Sequence, residues 1–484
     1  MHGSRTGPGP GKIHTKPTWV AHPGRAVDVF FFIVATLAAV ALAVDIFRAS
    51  FSTRLLHLTL LLPFWAIVAY LVLPRIHTLL TAVYVPDYFI GRARTSDGLL
   101  GDPINLALDG SALEIHSAMT DAGWILADDV TLRSSLGIIR SAVFRTSYPH
   151  APVSPLLVFG RTQCLAYQQE VDGNASQRHH VRFWRCPDGW YLPGGVRAQW
   201  LAAGTYDRAV GLSLFTLQIT HKVDADIDVE RDYIVNSLER TGPGIRHRMI
   251  ENFSTGYHSR NGGGDEVRTD GNLPVIDLTG YTPRTDLDDL PRAVLRAARG
   301  YPDISDPTAG AAASPDTDVP AELLYRDEKA EGTARPLSIV AGVLLAVLGV
   351  CADIVVDVRT LGQFIGETGL WAAIAFQAVR VITYLGLLHC GWRTWWGSGR
   401  ARIWLLGFAL FNLLVDGAFV ELAGDRFGGM ATVAAVGANI ILLLALSGDS
   451  ARVWSTRMSG RLREPGSGGT SRLPGSTGAP VSFR

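Results

Sequence analysis

Residues Arg178 to Arg185, "RHHVRFWR", set two adjacent histidines among three arginines and two aromatic residues. In an extended strand the side chains alternate, so His179, Val181 and Phe183 take one face and Arg178, His180, Arg182 and Trp184 the other. The second face is a cationic stripe. His180 and Arg182, with Arg161, would suit an anion such as a phosphate headgroup, because guanidinium groups bind phosphate bidentately. The competing reading is a solvated strand face. His221 lies on the apolar side of an alternating run, Phe215 to Val223. It is either a core histidine with a hydrogen-bond partner or, joined by His179 and Asp207, part of a two-imidazole, one-carboxylate set for a divalent metal such as Zn, Fe or Mn. In an apolar run further on, Arg380 needs a partner. Asp416 supplies the opposite charge, and Asn412 lies one helical turn before it. An Arg380–Asp416 pair would either glue helices together or line a polar path.

Other chemistry is poorly represented. "DADIDVERD" alternates acids from Asp224 to Asp232, but Val229 and Val235 stand where a calcium loop needs its glycine and its distal glutamate, so a helix start is expected instead. There is no Walker loop, H-E-x-x-H, dinucleotide fingerprint or nucleophile elbow. Four cysteines without C-x-x-C spacing give no disulfide framework.

The elements that would hold these groups follow from composition. The 484 residues carry 44 basic and 44 acidic side chains, so net charge gives no argument for nucleic acid as a partner. Apolar residues make up 48% of the chain and gather in long runs. Six are candidate membrane spans: Val27 to Phe47, Leu55 to Leu73, Leu337 to Val356, Leu370 to Cys390, Ile403 to Leu422 and Met430 to Leu446. No small-residue cleavage site follows the first run and a second run does, so the first is read as a retained helix rather than a signal peptide. Basic residues concentrate before the first run, between the fourth and fifth, and after the sixth, which predicts cytoplasmic termini and a cytoplasmic polar region.

The expected architecture is therefore a multi-span α-helical membrane protein with an inserted α+β soluble domain of mixed helices and an antiparallel sheet. A basic tail (1–24) is expected to be disordered. Two spans and an interfacial amphipathic helix, Arg75 to Tyr84, fill 25–84. The α+β domain takes 85–240, with a short strand at Ile104 to Leu108, a capped helix from Ser111 to Gly123, a helix near Thr131 to Phe144, five further strands and a closing helix at Asp228 to Leu238. A Gly/Pro/Asp-rich linker, with one helix at Leu287 to Ala298, fills 241–335; a four-helix bundle fills 336–448; and 449–484 is a second disordered basic tail.

Seven segments in order, "YVPDYFIGR", "GDPINLAL", "LRSSLGIIRS", "APVSPLLVFGR", "RHHVRFW", "GTYDRAVGLS" and "ITHKVDADIDVERD", resemble the LssY C-terminal domain family over roughly Tyr84 to Arg240. The resemblance implies a bacterial plasma-membrane protein. Some family members join this domain to a lipid-phosphatase-like membrane domain. This chain lacks that phosphatase's S-G-H and R-x5-H-x3-D segments, since no histidine has an arginine six positions before it. Cys164 also stands where the family's "GRxQ-L" run has an acid. Three functions follow as expectations: an anionic-ligand binder at the bilayer, a metal-dependent hydrolase of a membrane-associated substrate, or a transporter-like or structural bundle with a regulatory domain.

Overall fold

The computed structural model describes residues 23–51, 55–84, 91–95, 98–129, 150, 152–171, 174–192, 194–213, 216–242, 244–254, 257–282, 287–300, 316, 318–320, 335–422 and 430–461. Residues 1–22 and 462–484 of the tails and the helix expected near Thr131 to Phe144 lie outside the described residues; the start of the C-terminal tail, Asp449–Arg461, is a helix rather than disordered, because Ala451 and Trp454 pack into the core of the neighbouring helices.

The apolar runs are helical. α1 is Pro23–Ser50. The second run is one helical path of changing pitch: a 3-10 turn Leu55–Leu60, α2 Leu61–Ile67, a π-helical turn Val68–Val72 and α3 Leu73–Tyr84. The helix expected at Arg75 to Tyr84 is thus the continuation of the second run.

The polar region folds into layers. Its strands are β1 Arg92–Thr95, β2 Leu100–Pro103, β3 Leu106–Asp109, β4 Ile125–Leu126, β5 Leu156–Val158, β6 Arg161–Thr162, β7 Leu165–Val171, β8 Asn174–Arg185, β9 Trp200–Leu212, β10 Ile219–Val223, β11 Arg246–Ile250, β12 Tyr257–Arg260, β13 Glu266–Thr269 and β14 Leu273–Asp277. The large sheet runs β11-β14-β3-β9-β8-β7-β4, with β10 also on β9; β2-β1-β5-β6 make a second sheet and β12-β13 a hairpin. Among the described residues three α-helices belong to this region: α4 Ala112–Asp121, α5 Ile227–Glu239 and α6 Arg292–Ala298. They share a core with the large sheet through Leu113, Ile115, Phe183, Ile234, Leu238 and Val294. A second core, with Ala93, Leu156, Trp184, Leu201 and Val275, fills the space between the two sheets. The large sheet is therefore covered on both faces.

Two expectations change here. The stretch from 241 is not simply a linker: β14 enters the large sheet beside β3, pairing in parallel at Val275 with Ala107. Val275 and Ile276 are buried, and Val319, further along the same stretch, packs into the core. Gly and Pro content reads as loop, but short strands with few residues each carry little periodic signal. The sheet is accordingly mixed rather than purely antiparallel.

The C-terminal helices are α7 Leu337–Thr368, α8 Leu370–Trp395, α9 Gly399–Leu422, α10 Met430–Leu446 and α11 Asp449–Arg461. Gly369, at φ 86°, makes the one-residue break between α7 and α8. Arg359 therefore sits inside α7 and not in a loop. Among the described residues four helices are long and apolar enough to cross a membrane: Ala26–Ser50, Leu58–Leu80, Leu337–Arg359 and Leu370–Trp395. A bent pair, Val433–Leu446 with Asp449–Thr456, would make a fifth. α9 is a helix where the fifth run was expected, with Arg400 and Arg402 in its first turn and Asp416 within it.

Candidate functional site

Two buried polar clusters emerge, one in the layered domain and one among the C-terminal helices.

The first is built on β8 and β9. Their register sets Arg178 opposite Asp207, His180 opposite Thr205 and Arg182 opposite Ala203. These residues share the face turned to the second sheet, and Asp102 of β2 meets them from there. Arg182 donates to Asp102 Oδ2 at 2.5 Å and to the Ser154 carbonyl at 3.2 Å. Arg178 donates to Asp207 Oδ2 at 3.1 Å and to Gln168 Oε1 at 2.9 Å. His180 Nε2 lies 2.7 Å from the Thr205 hydroxyl, and its Nδ1 lies 3.5 Å from Asp207 Oδ2. His221 Nδ1 lies 3.3 Å from the same oxygen. A register shift at the end of the β9–β10 ladder, between Lys222 and Val223, brings His221 round to the Asp207 face.

The charges balance within the cluster. Burial would raise the Asp102 carboxyl, but Arg182 and His180 beside it outweigh burial and hold it below the usual range. Burial pushes the His221 imidazole down, with Asp207 partly opposing.

The cationic stripe was expected on a solvated face, and the structure corrects this. Arg178, His180 and Arg182 are 7%, 3% and 5% exposed. The reason is the second sheet, whose strands are too short to announce themselves in sequence. Arg161 lies in that second sheet, on β6, and makes no described contact with His180 or Arg182. The Arg182 donors thus already face a carboxylate and a carbonyl.

The metal set is also rearranged. His179 points to the helical face, where its Nδ1 is 2.7 Å from Glu230 Oε2 and its ring stacks on Tyr233 at 4.3 Å. His180, not His179, is the imidazole that approaches Asp207 and His221. Among the described residues no group of three His, Cys, Asp or Glu side chains is arranged to hold a metal ion. Thr205, His180 and Asp207 stand in the order of a nucleophile, base and orienting acid. Thr205 is only 1% exposed, with its hydroxyl on His180 Nε2.

The second cluster centres on Arg380 of α8. It donates to Asp416 Oδ1 at 2.5 Å and to Asn412 Oδ1 at 3.1 Å, both on α9. Two further aspartates, which the sequence reading did not single out, come from α7. Asp357 lies 3.2 Å from Arg380 and accepts a 2.7 Å bond from the Tyr384 hydroxyl. Asp353 lies 3.7 Å from Arg380 and accepts from Asn412 Nδ2 at 2.6 Å. Asp353, Arg380, Asn412 and Asp416 are all under 9% exposed. A cavity of about 20 Å³ opens among Asp353, Asp357, Arg380 and Asp416. A signal was available: Asp353/Asp357, Arg380/Tyr384 and Asn412/Asp416 are three i,i+4 polar pairs in apolar helices, each on one helix face. The turn at Gly369 sets the first two pairs at matching distances along α7 and α8.

Residues 82–273 match the family model described as the LssY C-terminus. This segment belongs to the LssY C-terminal domain family. The match runs past Arg240 as far as Leu273, the first residue of β14. The Asp102–Arg182–His180–Asp207 cluster therefore lies wholly inside the LssY C-terminal domain, and the Arg380 cluster lies outside it. No curated protein and no solved structure matches the chain.

Proposed function

We propose that this chain is a multi-pass membrane protein that binds and releases protons at the Arg380 cluster, with the LssY C-terminal domain as its water-facing part. One observation carries the reading: three aspartates surround a single guanidinium. Arg380 can neutralise one carboxylate. Two surplus negative charges in a bilayer would each cost about 3 kcal/mol or more, so they call for positive countercharge. Protons supply it in the least space. The cavity of about 20 Å³ has room for a water-sized occupant.

Depth supports the same reading. Trp371 and Trp392 are 82% and 61% exposed on α8. They are separated by ~31 Å at 1.5 Å per residue, the thickness of the hydrocarbon layer. Arg380 lies between these aromatic anchors. The transporter-like alternative is thus favoured over an anion binder, whose Arg182 donors are paired, and over a metal-dependent hydrolase, whose His179 turns to Glu230 and away from Asp207 and His221.

The test is infrared difference spectroscopy of the full chain in lipid as pH is stepped. The expected result is a protonated-carboxyl band at neutral pH that is reduced in Asp353→Asn, Asp357→Asn or Asp416→Asn. A parent protein with no such band, or a band untouched by all three changes, would overturn the proposal.

A further inference from the structure

We infer that the tip of the β9–β10 hairpin enters the apolar part of the lipid surface and anchors the LssY C-terminal domain there. The inference rests on the chain residing in a bilayer and not on proton binding at Arg380.

The hairpin tip is fixed to the second apolar helix. The Trp65 indole donates to the Leu217 carbonyl at 3.0 Å, and the Gln218 side-chain amide donates to the Ala69 carbonyl at 2.7 Å. Both helix residues lie inside the membrane-length stretch Leu58–Leu80. Ala69 belongs to the π-helical turn, where carbonyls leave the regular i→i+4 ladder and can accept from outside. A hairpin bonded to this stretch lies within reach of the apolar layer that the stretch would occupy.

The tip is also built for a medium without water. Val210 and Leu212, near the end of β9, are 45% and 47% exposed. From Ala209 to Thr220 the sequence has no Asp, Glu, Lys or Arg. Ser213 and Thr216, described residues of the tip, bond within the protein. The Ser213 amide donates to the Gln218 carbonyl at 2.8 Å, the Ser213 hydroxyl to the Gly263 carbonyl at 2.5 Å, and the Thr216 amide to the Ser213 hydroxyl at 3.1 Å. Satisfied backbone is what entry into lipid demands. Leu217 holds a left-handed conformation, φ 57°, that presents its carbonyl to Trp65. The partner is therefore the apolar layer beneath the headgroups; an anionic headgroup would require cations that the tip lacks.

The experiment places a photo-activated benzophenone amino acid in the full chain at Leu212, Tyr191 or Trp371, in turn, in phosphatidylcholine vesicles. Tyr191, 57% exposed, lies in the β8–β9 connection. That is at the far end of β9, about 40 Å along a 13-residue strand. Leu212 is expected to cross-link lipid several-fold more than Tyr191, equally at low and high salt. Lipid cross-linking at Trp371 but at Leu212 no more than at Tyr191 overturns the inference and leaves bilayer residence standing. Silence at Trp371 as well removes bilayer residence, and the inference with it. Cross-linking from Leu212 to protein alone also overturns it.

Discussion

His116 shows how a single buried group sets behaviour. It sits on α4, 5% exposed, with Nδ1 2.9 Å from the Tyr167 hydroxyl. Burial among apolar residues pushes its imidazole down to about 4. The unfolded chain, titrating near 6.5, binds the proton first. Between those two values the unfolded state holds more protons, so stability is complete above about pH 6.5 and falls as pH drops toward 4, by roughly 3 kcal/mol in all. Thermal melts of the detergent-solubilised chain across this range should show the loss. His116→Gln, which keeps a bond to Tyr167 but does not titrate, should flatten the profile. An equal acid slope in both proteins would mean that another group governs it.

At the scale of elements, close approach decides where glycine is needed. β9 passes beneath α5 at Gly204. A Cβ there would lie 2.2 Å from the Ile234 Cδ1, too close for any contact. Gly204→Ala should therefore push α5 from the sheet and cost about 1–3 kcal/mol. Gly244→Ala, which meets nothing within 4 Å, is the control. Hydrogen exchange along Ile227–Glu239 should accelerate in the first variant and not in the second; equal protection in both would refute the packing argument. Ion pairs fix elements too. Arg402 donates to Asp28 at 2.7 Å and to the Leu446 carbonyl at 2.6 Å, tying α9 to α1 and α10. Arg402, counted in sequence as a loop charge, is 3% exposed inside a helix.

At the scale of the whole molecule, the Arg380 cluster joins three helices, and this changes what a pair of mutations should do. A lone Arg380–Asp416 pair could be replaced by two leucines at little cost, since removing both charges leaves none orphaned. Here Asp353 and Asp357 remain. Arg380→Leu with Asp416→Leu should therefore not regain the stability lost in Arg380→Leu alone. Adding Asp353→Asn and Asp357→Asn should recover it. Melting temperatures in a mutant cycle measure this coupling. Full recovery by the leucine pair alone would return the cluster to a simple two-residue clamp.

Sequence by itself determined what depends on periodicity, length and local chemistry. The apolar runs became helices because a helix satisfies the backbone of some 20 successive apolar residues within the run itself. Ser111 and Glu114 formed their reciprocal capping box, and Asp226 capped α5, because a cap needs only residues two or three apart. Alternation put His179 and His180 on opposite faces of β8, as a pleated strand must. What alternation could not say is which medium each face meets. That was decided by β1, β2 and β5, short strands laid over the stripe from elsewhere in the chain, which turned a surface of Arg178, His180 and Arg182 into a sealed, charge-balanced interior. The same limit hid β14, whose parallel partner β3 lies far away in sequence. It also hid the surplus of aspartates around Arg380, because whether i,i+4 pairs on three helices face one another depends on helix packing and on the turn at Gly369. Local rules fix what each segment is; only tertiary contact, which sets desolvation and charge pairing, fixes what its side chains can do.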